Sequence, residues 1–114
     1  MTDPRTVAET YFESWKARDF ERFRSVLADD VTFRGPLGTA DGADACVQGI
    51  AGLSQIVRDI VVQHRWVDGP DVLTWFDLHT VGAAPAATAN WSHVDDGKIT
   101  RIVVTFDPRG LVGG

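Results

Sequence analysis

Cysteine is nearly missing from this 114-residue sequence, with Cys46 standing alone. An intrachain disulfide is therefore excluded, and a cysteine zinc site would have too few ligands. Positive charge is also scarce. Eleven Lys and Arg stand against sixteen Asp and Glu, a formal net charge of −5. The basic residues are scattered, so the clustered cations that bind nucleic-acid phosphates or an anionic membrane are lacking. No apolar run approaches the roughly 18 residues of a membrane-spanning helix; the best, Ile56 to Val62, is broken by Arg58 and Asp59. The opening Met1-Thr2-Asp3-Pro4-Arg5 has no apolar stretch of the signal-peptide kind, and a cytoplasmic location is the expectation. No repeat, low-complexity tract or linker is seen. No glycine-rich phosphate cradle follows a strand pattern, and no cofactor is expected.

What is present suits a folded domain. Hydrophobic residues make up 44% and charged residues 24%, a balance that does not fit disorder. The length supports one domain over residues 1–114, large enough for a single core. Asp3-Pro4 and Thr6…Glu9 offer two overlapping helix starts. Val7, Tyr11 and Trp15 recur every four residues with Ala8 and Phe12 beside them, which predicts an amphipathic helix to about Ala17. Asp19 can cap a shorter helix with Phe20, Phe23 and Leu27 on one face, ended by Asp29-Asp30. Val31–Arg34 reads as a short strand stopped by Gly35-Pro36-Leu37-Gly38. A third helix is predicted from Asp41 to about Ser54, in which Gly49 and Gly52 cost roughly 1 kcal/mol each relative to alanine.

From Ile56 the pattern turns to strands: Ile56–Val67, Val72–Val81, Thr88–Val94 and Ile99–Phe106, with turns at Asp68–Asp71 and Asp95–Lys98. Helices followed by a run of antiparallel strands predict an α+β fold. Within Val72–Val81, Leu73, Trp75, Asp77 and His79 alternate with Val72, Thr74, Phe76 and Leu78.

Several segments in order, Tyr11-Phe12-Glu13-Ser14-Trp15, Arg18-Asp19-Phe20, Leu27 to Phe33, Gly35 to Gly38, and Asp96-Gly97-Lys98-Ile99 leading to Phe106-Asp107, resemble the nuclear transport factor 2-like superfamily in its SnoaL-like and ketosteroid-isomerase-like branch. The resemblance implies three N-terminal helices packed in a strongly curved antiparallel sheet, a cystatin-like cone or α+β barrel whose mouth admits a small apolar molecule. It also implies a homodimer through the outer sheet face. The superfold hosts isomerases, cyclases, hydrolases and inert binding modules, so it does not choose among them.

Ketosteroid isomerases use a carboxylate base with a tyrosine and a neutral acid as oxyanion donors. By position the tyrosine falls on Tyr11, the base on Gly35 and the acid on Asn90. One donor is kept, the second becomes an amide, and the base is missing. If Trp75's face is the concave one, Asp77 and His79 lie about 7 Å apart at Cα and can supply that base, with Phe76, Leu78, Trp91 and Val103 outward as a dimer face. SnoaL-like cyclases have acid–base residues in this part of the sheet. The alternative turns this face outward or pairs Asp77 with Arg58, Arg65 or Arg101.

The expected substrate-binding residues are Trp15, Phe33 and Trp75, with Ser92, Ile102, Val104 and Phe106 from the last two strands. Arg109 is within reach of the mouth or of a dimer mate. His64, His79 and His93 lie on separate strands, a weak metal signal, and no metal is assigned. Cys46 reads as a small core residue. Three functions follow: a cofactor-independent acid–base enzyme acting on a small apolar carbonyl or hydroxyl compound, a non-catalytic binding module, or a dimerisation domain.

Overall fold

The computed structural model describes residues 3–110, so Met1 and Thr2 of the N-terminal reading lie outside the described residues. Helix α1 (Pro4–Ala17) uses the first of the two possible starts: the Asp3 carboxylate accepts from the Thr6 N–H at 2.8 Å, with Pro4 at the first helical position. Helix α2 (Phe20–Ser25) is capped by Asp19, as its sequence predicts, and α3 spans Ala43–Ser54. The strands are β1 (Leu27–Gly35), β2 (Gly38–Asp41), β3 (Val57–Asp68), β4 (Asp71–Thr80), β5 (Ala86–Asp95) and β6 (Lys98–Thr105). The four-residue β2 is absent from the sequence reading. The turn cluster read as a stop after β1 is the tip of a tight hairpin, with Gly35 opposite Gly38.

The α+β architecture is as expected, and three helices pack against one curved six-stranded sheet in the order β2-β1-β6-β5-β4-β3. Two details differ from the expectation. The sheet stays open rather than closing as a barrel, ending at β2 and β3. It is also mixed, because β1 pairs with β6 in parallel. The intervening α3 and four strands bring the chain back beside β1 in the same direction, which a short hairpin cannot do. Register shifts in β3, near Val94 of β5 and at the start of β1 interrupt the ladders, and such irregularities bend strands.

The core fills the concave side. Phe12 and Trp15 of α1 meet Phe76 of β4 edge-on at 5.1 and 6.0 Å between ring centroids, and Tyr11 lies 4.7 Å from Phe23 of α2. Ile60, Leu78, Ile99 and Ile102 complete this layer. On β4 the buried residues are Val72, Thr74, Phe76, Leu78 and Thr80. The face carrying Trp75, Asp77 and His79 is therefore the outer one. Phe76 and Leu78 point inward and not toward a dimer face, while Trp91 and Val103 stand on the outer side as expected. The register imposes this: Leu73 pairs with Trp91 and Thr74 with Asn90, and cross-strand partners share a face.

Candidate functional site

A cavity of about 410 Å³ lies between α1, α3, the β1–β2 turn and the inner faces of β4, β5 and β6. Its volume is within the range of small-molecule sites. Of the expected residues, Tyr11, Asn90, Trp15, Phe33, Val104 and Phe106 line it. Ser92 and Ile102 point inward but are buried in the core behind the lining. Trp75 is corrected to the outer face, where it is 39% exposed.

Asp77 and His79 are also corrected to the outer face, outside the cavity. Asp77 Oδ2 accepts from Gln63 Nε2 at 2.9 Å on the neighbouring strand, and not from Arg58, Arg65 or Arg101. His79 sits opposite Asp59, which is paired with Lys16 at 3.1 Å. No hydrogen bond joins Asp77 to His79 among the described residues. Arg109 turns back onto Asp107 and does not reach the mouth, and its guanidinium holds that carboxyl down to about 2. His64, His79 and His93 stand on three successive strands, β3, β4 and β5, in no cluster of three ligands among the described residues.

At the inner end of the cavity, Tyr11 is completely buried and its hydroxyl has no hydrogen-bond partner among the described residues. Burial pushes the phenol well above its usual range, since the charged form would lose its water; the Asn90 side chain alongside opposes that rise. Asn90 is fixed from the other side by Ser92 Oγ, which donates to its Oδ1 at 3.1 Å. Cys46 lines the same wall from α3, and burial raises its thiol to about 11. Trp15 Nε1 donates to Ser54 Oγ at 3.2 Å, tying α1 to the end of α3.

Gly35 lines the cavity where the isomerase-type resemblance would place a base. A Cβ there would meet Phe33 Cε1 at 3.1 Å, so the Phe33 ring crowds the position from which a side chain would emerge. Sequence reasoning missed Phe76 and Leu78 because it turned β4 over, and Thr88 because it named only Asn90 and Ser92 from the inner face of the strand it began at Thr88. It also missed Gly49 and Gly52, which line the cavity from α3. Their signal was in the sequence, as two glycines inside a helix that pays for them in stability.

The SnoaL-like domain family matches residues 8–102. The chain belongs to the SnoaL-like family. Among solved structures, this SnoaL-like chain is similar to a protein from Kribbella flavida DSM 17836, with 29% identity, 95% of this chain and 89% of that chain covered, and a TM-score of 0.89. It is similar to an NTF2-like protein of unknown function from Cytophaga hutchinsonii, with 24% identity, 98% and 96% covered, and a TM-score of 0.88. A third, an LEH-like epoxide hydrolase of M. tuberculosis, has 21% identity, 95% and 91% covered, and a TM-score of 0.76. The latter two likenesses, below 25% identity, speak for the NTF2-like fold alone. No curated protein matches the chain.

Proposed function

We propose that this SnoaL-like domain binds a small, uncharged, mostly apolar molecule without transforming it, the ligand's one hydrogen-bonding oxygen facing Tyr11 and Asn90. The observation that carries this reading is the chemistry of the lining. Among the described residues it contains no Asp, Glu, His, Lys or Arg. Its two ionisable groups, Tyr11 and Cys46, are protonated at neutral pH as an ordinary phenol and thiol are, and burial raises both further from the working range. General acid–base catalysis needs a group that exchanges a proton near the working pH. Tyr11 and Asn90 can donate hydrogen bonds to an oxygen, which orients a ligand, but neither takes a proton from carbon or water.

The acid–base enzyme reading loses its proton acceptor when Asp77 and His79 leave the cavity, and the Tyr11–Asn90 pair serves binding equally well. The test is equilibrium dialysis against a panel of small apolar ketones, epoxides and hydroxylated aromatics, followed by mass spectrometry of bound and free compound after long incubation. Uptake with unchanged masses is expected. A new mass or an isomer that forms only with the protein present would restore the enzyme.

We also propose a homodimer through the outer sheet face. What supports it is a row of large side chains across four strands, Trp66 opposite Leu73, Leu73 opposite Trp91 and Trp91 opposite Val103. Trp66 and Leu73 are 54% and 41% exposed, with Trp75 beside them. An apolar expanse of this kind marks an association surface.

A further inference from the structure

Glycine inside a helix has three physical justifications: a backbone angle that other residues avoid, a neighbour too close for a Cβ, or space that another molecule occupies. Gly49 and Gly52 are three residues apart on α3 and so share a face. Neither has a positive φ. A Cβ built on either meets no heavy atom of the described residues within 4 Å. The first two justifications fail for both. Packing does not call for them either, because Ala43, Cys46, Ile50 and Ser54 form the buried side of α3.

The third justification fits. Both glycines line the cavity and both are exposed, which places them where the cavity meets solvent. A second observation lies at the other end of the same cavity: the Tyr11 hydroxyl, fully buried, with the Asn90 side chain alongside but no hydrogen bond made to it among the described residues. A buried hydroxyl left unpaired is expensive unless something supplies its hydrogen bond.

We infer that Gly49 and Gly52 determine specificity, forming a bare strip of helix over which the flat body of the ligand lies while its oxygen reaches Tyr11. The inference rests on the cavity being a binding site, and it adds the ligand's shape. A missing side chain lets a planar ring system approach the helix backbone, and the sheet side of the cavity offers the rings of Phe33, Phe76 and Phe106. Flat aromatic ketones are favoured over branched aliphatic ones of equal size.

The test uses the full chain with 2-acetylnaphthalene, a flat uncharged ketone, as the probe. Affinity comes from equilibrium dialysis, and stability from thermal melts of Gly49→Ala, Gly52→Ala, Gly49→Leu and Gly52→Leu. The alanine variants are expected to melt about 2–4 °C higher, because alanine suits a helix with open space beside it. The leucine variants are expected to keep the native circular dichroism and bind at least about tenfold more weakly, since a side chain now fills the strip. Lower melting of the alanine variants would show that the fold itself needs the glycines and would overturn the inference. Wild-type binding with unchanged affinity in the leucine variants would overturn it too, while leaving the binding-site reading in place. If the wild type takes up neither this ketone nor any compound of the wider panel, the binding reading fails and the specificity strip falls with it.

Discussion

Tyr11 has no hydrogen-bond partner among the described residues for a hydroxyl that is fully buried at the inner end of the cavity. Removing the oxygen removes an unmet desolvation penalty, so Tyr11→Phe is expected to leave the empty protein as stable as before or more stable by about 1 kcal/mol. Ligand affinity should fall in the same variant. Urea denaturation and equilibrium dialysis measure the two effects, and a clear loss of stability would mean that the hydroxyl is satisfied in the native state. Cys46 gives a pH dependence of definite sign. Its folded value of about 11 lies above the ordinary 9.0, so the unfolded chain loses its proton first. The stability linked to the neutral thiol is fully present below about pH 9 and is lost as pH rises through 11. Tyr11, raised for the same reason, adds to the decline above the usual phenol range. Denaturation midpoints measured from pH 8 to 11 should fall less steeply in Cys46→Ala than in the wild type.

Helix and hairpin treat glycine in opposite ways. In the β5–β6 turn, Asp96 and Gly97 have φ of 54° and 75°, the two left-handed residues that a tight hairpin with the right twist requires. Gly97→Ala therefore destabilises, by about 1 kcal/mol, seen as a lower urea midpoint at unchanged slope. The glycines of α3 carry no such constraint, and alanine there acts with the opposite sign. The same contrast explains which strands were legible. The Asp95–Lys98 turn names its own geometry, so the faces of β5 and β6 followed correctly: Asn90, Ser92, Ile102 and Val104 inward, Trp91 and Val103 outward. Val81–Pro85 between β4 and β5 specifies no turn type. A shift of one residue in such a connection sends every side chain of the strand to the other face. The alternation of β4 therefore leaves open which face is concave, and Trp75, Asp77 and His79 belong in the cavity only on the assumption that theirs is.

At the scale of the whole molecule, one face of the sheet holds the helices and the other carries the row from Trp66 to Val103. Sedimentation velocity at micromolar concentration is expected to show a dimer, and Leu73→Glu with Trp75→Glu should shift it to monomer without loss of the cavity. A wild-type monomer at those concentrations would remove the proposal. The sequence by itself determined the helix start at Asp19, narrowed the first helix start to Asp3 or Thr6, and set the strand periods, the last hairpin and the α+β class, because each rests on contacts between residues close in the chain. It also marked Tyr11 and Asn90, and it carried the cost of Gly49 and Gly52 without their purpose. Only the tertiary structure decided which side of β4 is concave, that β1 lies parallel to β6, and that Asp77 and His79 face outward. Those outcomes depend on register between segments joined by permissive loops, where the energy of burying Phe76 against α1 and Leu78 in the core outweighs anything the local sequence prefers.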